Sequence, residues 1–267
     1  MWPGDPEPVV NPSVYLGPVS IDFADVIGSE SARLVAALDA SPDAALPWCG
    51  SWTVKDCALH VGAAHHVVAK VIEGRPTTDF GYFASLDKPD VSDPALAAWV
   101  AAGTASLLDQ LDRTSPDDVC WSWWPTGGNV GFWARRMAHE TLVHRWDVER
   151  GAGGTPEPMD PAVASDSLDE YLDVFVGLVR HIGSSPGAGE SVHVHCTDVA
   201  GEWLLSFPGP GQRELRREHA KGDVALRGTA EGLLLYVWGR QGAAEAGVDV
   251  VGDQAMLGRW RELIPTI

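Results

Sequence analysis

Long hydrophobic runs are missing from this 267-residue sequence. No stretch approaches the roughly 20 apolar residues that span a bilayer. The opening MWPGDPEPVVNPSVYLG has neither the basic region nor the continuous apolar segment of a secretory signal. Positive charge is scarce as well: 19 Lys and Arg stand against 37 Asp and Glu, a net charge of -18. Such a field repels nucleic acid and anionic membrane surfaces, and no basic stripe interleaved with aromatics opposes it, so neither partner is expected. Cysteine is limited to four residues, Cys49, Cys57, Cys120 and Cys196, with no CxxC pair. They read as reduced thiols of a cytoplasmic protein, not as a disulfide frame. Phosphate loops of the GxGxxG or GxxxxGK type are absent, and so is the GxSxG elbow of a serine hydrolase.

The chain does have the apolar content, 45%, and charged content, 21%, of a globular protein. Its length suits two modest domains or one large one. After a Pro- and Gly-rich arm over 1–18, Phe23, Val26, Ile27, Leu34, Val35 and Leu38 recur at helical spacing. A second helix begins at SWTVKD, where Thr53 is a good N-cap and Asp56 completes a capping box. Its apolar stripe is Cys57, Val61, Ala64, Val68 and Val71, and EGRP ends it. Asp93 and Pro94 open a third helix with Leu96, Trp99, Val100, Leu107, Leu108 and Leu111 on its buried side. The Trp-rich connection CWSWWPTGGNVGF leads to a fourth, about 132–150. Four amphipathic helices in this span predict an up-and-down bundle. GAGGTPEPMDP is a bend, and a further helix is expected from Pro161 to His181. The period then changes: SVHVHCTD, EWLLSF, DVALRG and VDVVGD read as strands, TAEGLLLYVWGR and DQAMLGRWRELI as helices. The predicted fold is α+β in two domains, 1–155 helical and 156–267 a helix plus a mixed sheet.

The fourth helix contains HETLVHRWDVE, one residue away from the zinc-protease signature HExxH. Positions five apart on a helix differ by about 140°, so His139 and His144 cannot chelate one ion. Glu140 and His144, four apart, share a face. Trp133, Met137, Glu140, His144 and Val148 form one stripe at core spacing, so an ionisable pair stands where a bundle buries its side chains. A shared metal ion would remove the cost of burying the carboxylate; a polar pair, with each other or with an Arg of another helix, would do so too. The stripe alone leaves both open. His60 edges the same interior from the second helix, where at most one of His65 and His66 faces inward. Two imidazoles and a carboxylate make a three-ligand set with an open fourth position, the pattern of catalytic zinc.

WTVKDCALHVGAAHH and RRMAHETLVHRWDVE resemble the mycothiol-dependent maleylpyruvate isomerase family, whose N-terminal part is a DinB-like four-helix bundle. VHVHCTDVAGEWLL, DVALRGTAEGLLLYVWGR and VDVVGDQAML are similar to that family's second domain, a sterol-carrier-like α+β fold. The resemblance spans nearly the whole chain. It implies a divalent metal, usually zinc, on His60, Glu140 and His144, and mycothiol as thiol cosubstrate. It also implies isomerisation of maleylpyruvate to fumarylpyruvate or thiol transfer to a related small electrophile, by a cytoplasmic monomer or homodimer. Arg240, in WGR, matches an Arg that contributes to activity in that family and is the candidate for binding a substrate carboxylate; a helix-terminal role on the last carbonyls is the alternative. The rival function is a catalytically inactive binding or carrier module with a structural metal.

Other residues are weighed beside these. Cys57 reads as a buried small hydrophobe. Asp147 is expected either to orient an imidazole or to form a surface ion pair with Arg. His193 and His195 alternate with valines and read as a polar strand face in preference to a second metal site. Trp121, Trp123 and Trp124 line a pocket mouth, pack in the core or form a lid against the second domain.

Overall fold

The computed structural model describes residues 21–75, 81, 85–124, 128–177 and 186–263. The arm expected over 1–18 lies outside these residues, as does the end of the helix expected to reach His181. Helix α1 spans Phe23–Leu38, with the Asp22 carboxylate accepting from the Ala24 and Asp25 amides. Helix α2 spans Val54–Gly74 and starts at the Thr53–Asp56 capping box the sequence predicts. Helix α3 spans Leu96–Asp112, two residues inside the expected start, because Asp93 and Pro94 spend themselves on a turn that caps the Ala95 amide. Helix α4 spans Val130–Gly151, with the Asn129 side chain accepting from Phe132. It is preceded by a two-residue hairpin, β1 (Val119–Cys120) against β2 (Gly128–Asn129), inside the stretch read as a plain connection.

Helix α5, Pro161–Glu170, runs on into a single π turn over Tyr171–Phe175. Then come β3 (Glu190–Cys196), β4 (Glu202–Phe207), β5 (Glu214–Arg216), β6 (Val224–Gly228), α6 (Ala230–Val237), β7 (Asp249–Gly252) and α7 (Gln254–Leu263). The sheet order is β5-β4-β3-β6-β7, with β3 and β6 parallel and the other pairs antiparallel. The short edge strand β5 carries no alternating apolar signal, and the sequence alone misses it. The fold is α+β with a mixed sheet, as expected. No helix among the described residues is long and apolar enough to cross a membrane.

Helices α1 to α4 pack on one another, and α4 also packs on the second half. Val130, Trp133, Met137 and Ala138 belong to a core shared with Ile27, Val67, Val68 and Val71. Leu142, Val143 and Trp146 belong to the core of the sheet half, with Leu168, Val194, Leu205, Leu226 and Leu234. A helix enclosed on all sides is normally apolar throughout, yet α4 buries Arg136, His139, Thr141, His144, Arg145 and Asp147. Each charge finds a partner: Arg136 with Glu170 and Glu140, His139 with Glu170 and Asp166, Arg145 with Glu30 and Glu149. This ladder is the means by which a polar sequence occupies the centre of the molecule.

Of the adjacent pair, His65 faces inward. It is fully buried, with Nδ1 3.0 Å from the Thr104 hydroxyl and Nε2 2.9 Å from that of Thr141. Burial pushes its pKa down from 6.5 to about 4. The unfolded chain therefore takes up a proton near pH 6.5 that the folded chain refuses until about pH 4. Stability is intact above the first value and falls as pH drops toward the second, by about 3 kcal/mol. Urea denaturation at pH 7 and pH 4 is expected to show this loss in wild type and not in His65→Gln. Equal losses in the two proteins would assign the acid sensitivity elsewhere.

Candidate metal centre

One turn of α2 and one face of α4 bring His60, Glu140 and His144 together. His60 Nε2 lies 2.7 Å from Glu140 Oε1, and His144 Nε2 lies 3.5 Å from the same oxygen. The two imidazole rings stand 5.1 Å apart and nearly perpendicular, with Trp52 4.8 Å from the first and 6.0 Å from the second. One donor atom from each residue falls within 4.8 Å of the others. His139 points away, into the Glu170 and Asp166 ion pairs, as a five-residue spacing requires.

The surroundings select the donor atoms. His144 Nδ1 donates to Asp147 Oδ2 at 2.8 Å, so Nε2 faces Glu140 with its lone pair unless a second proton or a cation stands between them. Asp147 is wholly buried and is also held by Arg240, whose Nε and Nη2 lie 3.1 and 2.9 Å from its two oxygens. It thus does both things expected of it, orienting an imidazole and pairing with Arg, but in the interior and not at the surface. Burial opposes charge on these groups, and the neighbours outweigh it. His144, His60 and Arg136 hold Glu140 well below the usual carboxylate range. Cys57, Asp147 and Glu140 hold His144 well above the usual imidazole value. His144 and Arg240 bring Asp147 to about 2. Two ring nitrogens and a carboxylate oxygen converging beside a cavity fit a divalent ion of the zinc class, with the fourth position open.

That cavity has a volume of about 800 Å³ and is walled by both halves of the chain. Trp48, Cys49 and Trp52 come from the α1–α2 connection, Arg136 and Val143 from α4, Phe175 from the π turn, and Trp238, Gly239 and Arg240 from the end of α6. The π turn inserts an extra residue in its repeat, a feature frequent at functional sites, and sets Phe175 under the Arg136 guanidinium at 4.8 Å. Arg136 was not singled out from the sequence, although it lies four residues before Glu140 on the same face; its Nη2 donates to Glu140 Oε2 at 2.7 Å. Arg240 Nη1 donates to the Trp238 carbonyl at 3.1 Å, so the helix-terminal role is filled as well.

The remaining candidates separate cleanly. Cys57 is fully buried in the core with Leu34 and Val54, its thiol 3.4 Å from His144 Nδ1 and its pKa raised by burial. Cys57, His144 and Asp147 also converge, but neither Cys57 nor Asp147 lines the cavity, and Asp147 is committed to Arg240. Burial pushes Cys49, on the cavity wall, up to about 12, so it is no ready nucleophile. Trp121 and Trp123 pack against Trp133, and Trp123 against Phe175 behind the cavity wall. Neither they nor Trp124 line the cavity, which favours the packing role for all three.

Two family models match the chain. The family model described as the mycothiol maleylpyruvate isomerase N-terminal domain matches residues 25–149, and that of the MDMPI C-terminal domain matches 162–259. Comparison with curated proteins finds no match. Among solved structures, a double mutant of the sec-alkyl sulfatase PisA1 is similar over 66% of this chain at 15% identity and a TM-score of 0.29. The chain spans 26% of that protein's length, and so loose a likeness carries no argument.

Proposed function

The chain belongs to the mycothiol maleylpyruvate isomerase family, and from that premise we propose a metal-dependent, mycothiol-using isomerase or thiol transferase acting on a small electrophile that bears a carboxylate. The observation that carries this reading is the triad of His60, Glu140 and His144 on the wall of a cavity that Arg240 enters from the other half. We take residues 1–155 as a DinB-like up-and-down four-helix bundle and 156–267 as a sterol-carrier-like α+β domain; the family matches on either side of that boundary support the division.

When bound by the triad, a zinc-class ion supplies a Lewis acid that keeps a thiol deprotonated near neutral pH. Asp147 fixes the His144 tautomer and Arg136 steadies the far oxygen of Glu140, so the donors keep their directions. Arg136 and Arg240 set positive charge into the cavity of a chain whose net charge is -18, which suits a substrate carboxylate. Arg240 does not offer the bidentate fork expected from its type: with Nε and Nη2 on Asp147, the second Nη2 hydrogen on the Cys49 sulfur at 3.7 Å and Nη1 on Trp238, one Nη1 hydrogen remains for substrate. Trp48, Trp52, Phe175 and Trp238 exclude water around the reacting thiol. The thiolate sulfur forms a bond to one carbon of the activated double bond, whose electron pair moves onto the conjugated carbonyl. Rotation about the resulting single bond and cleavage of the same carbon–sulfur bond, as the electron pair returns from the carbonyl, release the thiolate and the trans isomer. Retention of that bond, with a proton taken up at the neighbouring carbon, gives a thioether.

The test is the metal content of the purified protein and conversion of maleylpyruvate to fumarylpyruvate with and without mycothiol. Turnover that requires both metal and thiol is the expected result. Metal without turnover on maleylpyruvate or other unsaturated carboxylates would favour the carrier function, and a protein that accepts no metal would end the proposal. Placement in the cytoplasm, as a monomer or homodimer, belongs to the same proposal.

A further inference from the structure

A second constellation lies on the sheet, and none of its members lines the cavity. Along β3, Val192, Val194 and Cys196 enter the core shared with the helices, so His193 and His195 leave by the opposite face. In the antiparallel register His195 is opposite Glu202 of β4, which puts a carboxylate beside the second imidazole. The connection from β5 to β6 crosses β3 so closely that a Cβ on Gly222 would stand 2.8 Å from the His193 amide. It carries His219 over the patch, its ring 5.0 Å from His193 and 6.5 Å from His195. Glu202 Oε1 accepts from His195 Nδ1 at 2.5 Å and from His219 Nδ1 at 3.0 Å. One donor atom from each of the four residues lies within 4.8 Å of all the others.

A polar strand face does not account for this group. His193 is only 4% exposed, and its Nε2 has no hydrogen-bond partner among the described residues. A buried imidazole nitrogen left unpaired is costly, and a bound cation would supply the missing partner. Tetrahedral coordination with bonds of about 2.0–2.1 Å sets donor atoms about 3.3 Å apart. Opening the His195 and His219 contacts with Glu202 to that spacing takes less than about 1 Å. Three imidazoles and one carboxylate suit a borderline divalent transition ion, not calcium or magnesium, which prefer oxygen throughout.

We propose that His193, His195, Glu202 and His219 form a second metal site, structural in kind, for a zinc-class divalent ion. All four donors come from the chain, so the shell is closed, and the ion ties the β5–β6 connection to the two strands beneath it.

The test isolates this site from the triad with His60→Ala, whose side chain is 41% exposed and can be removed without opening the core. Metal-stripped protein is titrated with zinc and counted by elemental analysis, and with cobalt to read four-coordinate visible absorption. His60→Ala is expected to retain about one equivalent. His60→Ala/His219→Ala is expected to bind at least about 100-fold more weakly and to lose the zinc-dependent rise in Tm. His219 is mostly exposed, so the double variant tests the site and not the fold; Glu202→Gln in place of His219→Ala gives the same result by a different donor. Equal metal content and equal Tm response with and without His219, or no zinc in His60→Ala, overturns the proposal.

Discussion

His144→Ala is expected to empty the proposed metal site and to lower thiol-dependent turnover by at least about 10³-fold, since Lewis-acid stabilisation is worth several kcal/mol. The residue has two jobs that no neighbour can take over. Its Nε2 faces Glu140, and its Nδ1 anchors to Asp147, so alanine removes a proposed ligand and leaves a buried carboxylate held by Arg240 and the Cys49 thiol. Elemental analysis of wild type and variant checks the first effect, and a maleylpyruvate assay with saturating mycothiol the second. His139→Ala is the informative contrast, because His139 is spent on Glu170 and Asp166. It should keep its metal while losing stability. A variant at position 144 that retains its full metal complement would place the ion elsewhere.

Arg240→Ala is expected to destabilise the protein by about 3–5 kcal/mol, the cost of removing one partner from a buried ion pair. The pair it breaks is buried on both sides, with side chains 9% and 0% exposed, so solvent does little to soften the loss. It also joins the end of α6 to α4, one half of the chain to the other. Arg240→Lys should recover only part, because an ammonium cannot meet both Asp147 oxygens at once. Asp147→Asn in the Arg240→Ala background should recover some of it too, by removing the buried charge that has lost its Arg partner. Urea denaturation of the four proteins at pH 7 measures these differences. A loss below about 1 kcal/mol for Arg240→Ala would mean that His144 and Cys49 suffice to hold the buried carboxylate, against the reading of the Arg240 pair as obligatory.

How much of this was legible beforehand differs from residue to residue. Helix α2 was, down to its first residue, because a capping box is a contact between positions three apart. The facing of Glu140 and His144, and the exclusion of His139, followed from the pitch of one helix. Arg136, four residues before Glu140, is legible by the same rule. Trp48, Trp52, Phe175 and Trp238 were not, since they reach the cavity from three separate stretches of chain. His219 follows a three-residue edge strand without an alternating signal and meets His193 only because a connection crosses the sheet.

The sequence by itself determined the elements and the faces they present: helical stripes, caps, a period that changes from helix to strand, and two donors four residues apart. These depend on neighbours within a turn or a pleat, so spacing is enough to read them. Only the tertiary structure decided which charges were already committed. Asp147 holds His144 with one hand and Arg240 with the other across 93 positions, and that turned a free guanidinium fork into one with a single hydrogen bond to spare. Periodicity records which side of an element is buried; it carries no record of what lies across the gap, because that is set by how distant segments pack once the apolar surface has been removed from water.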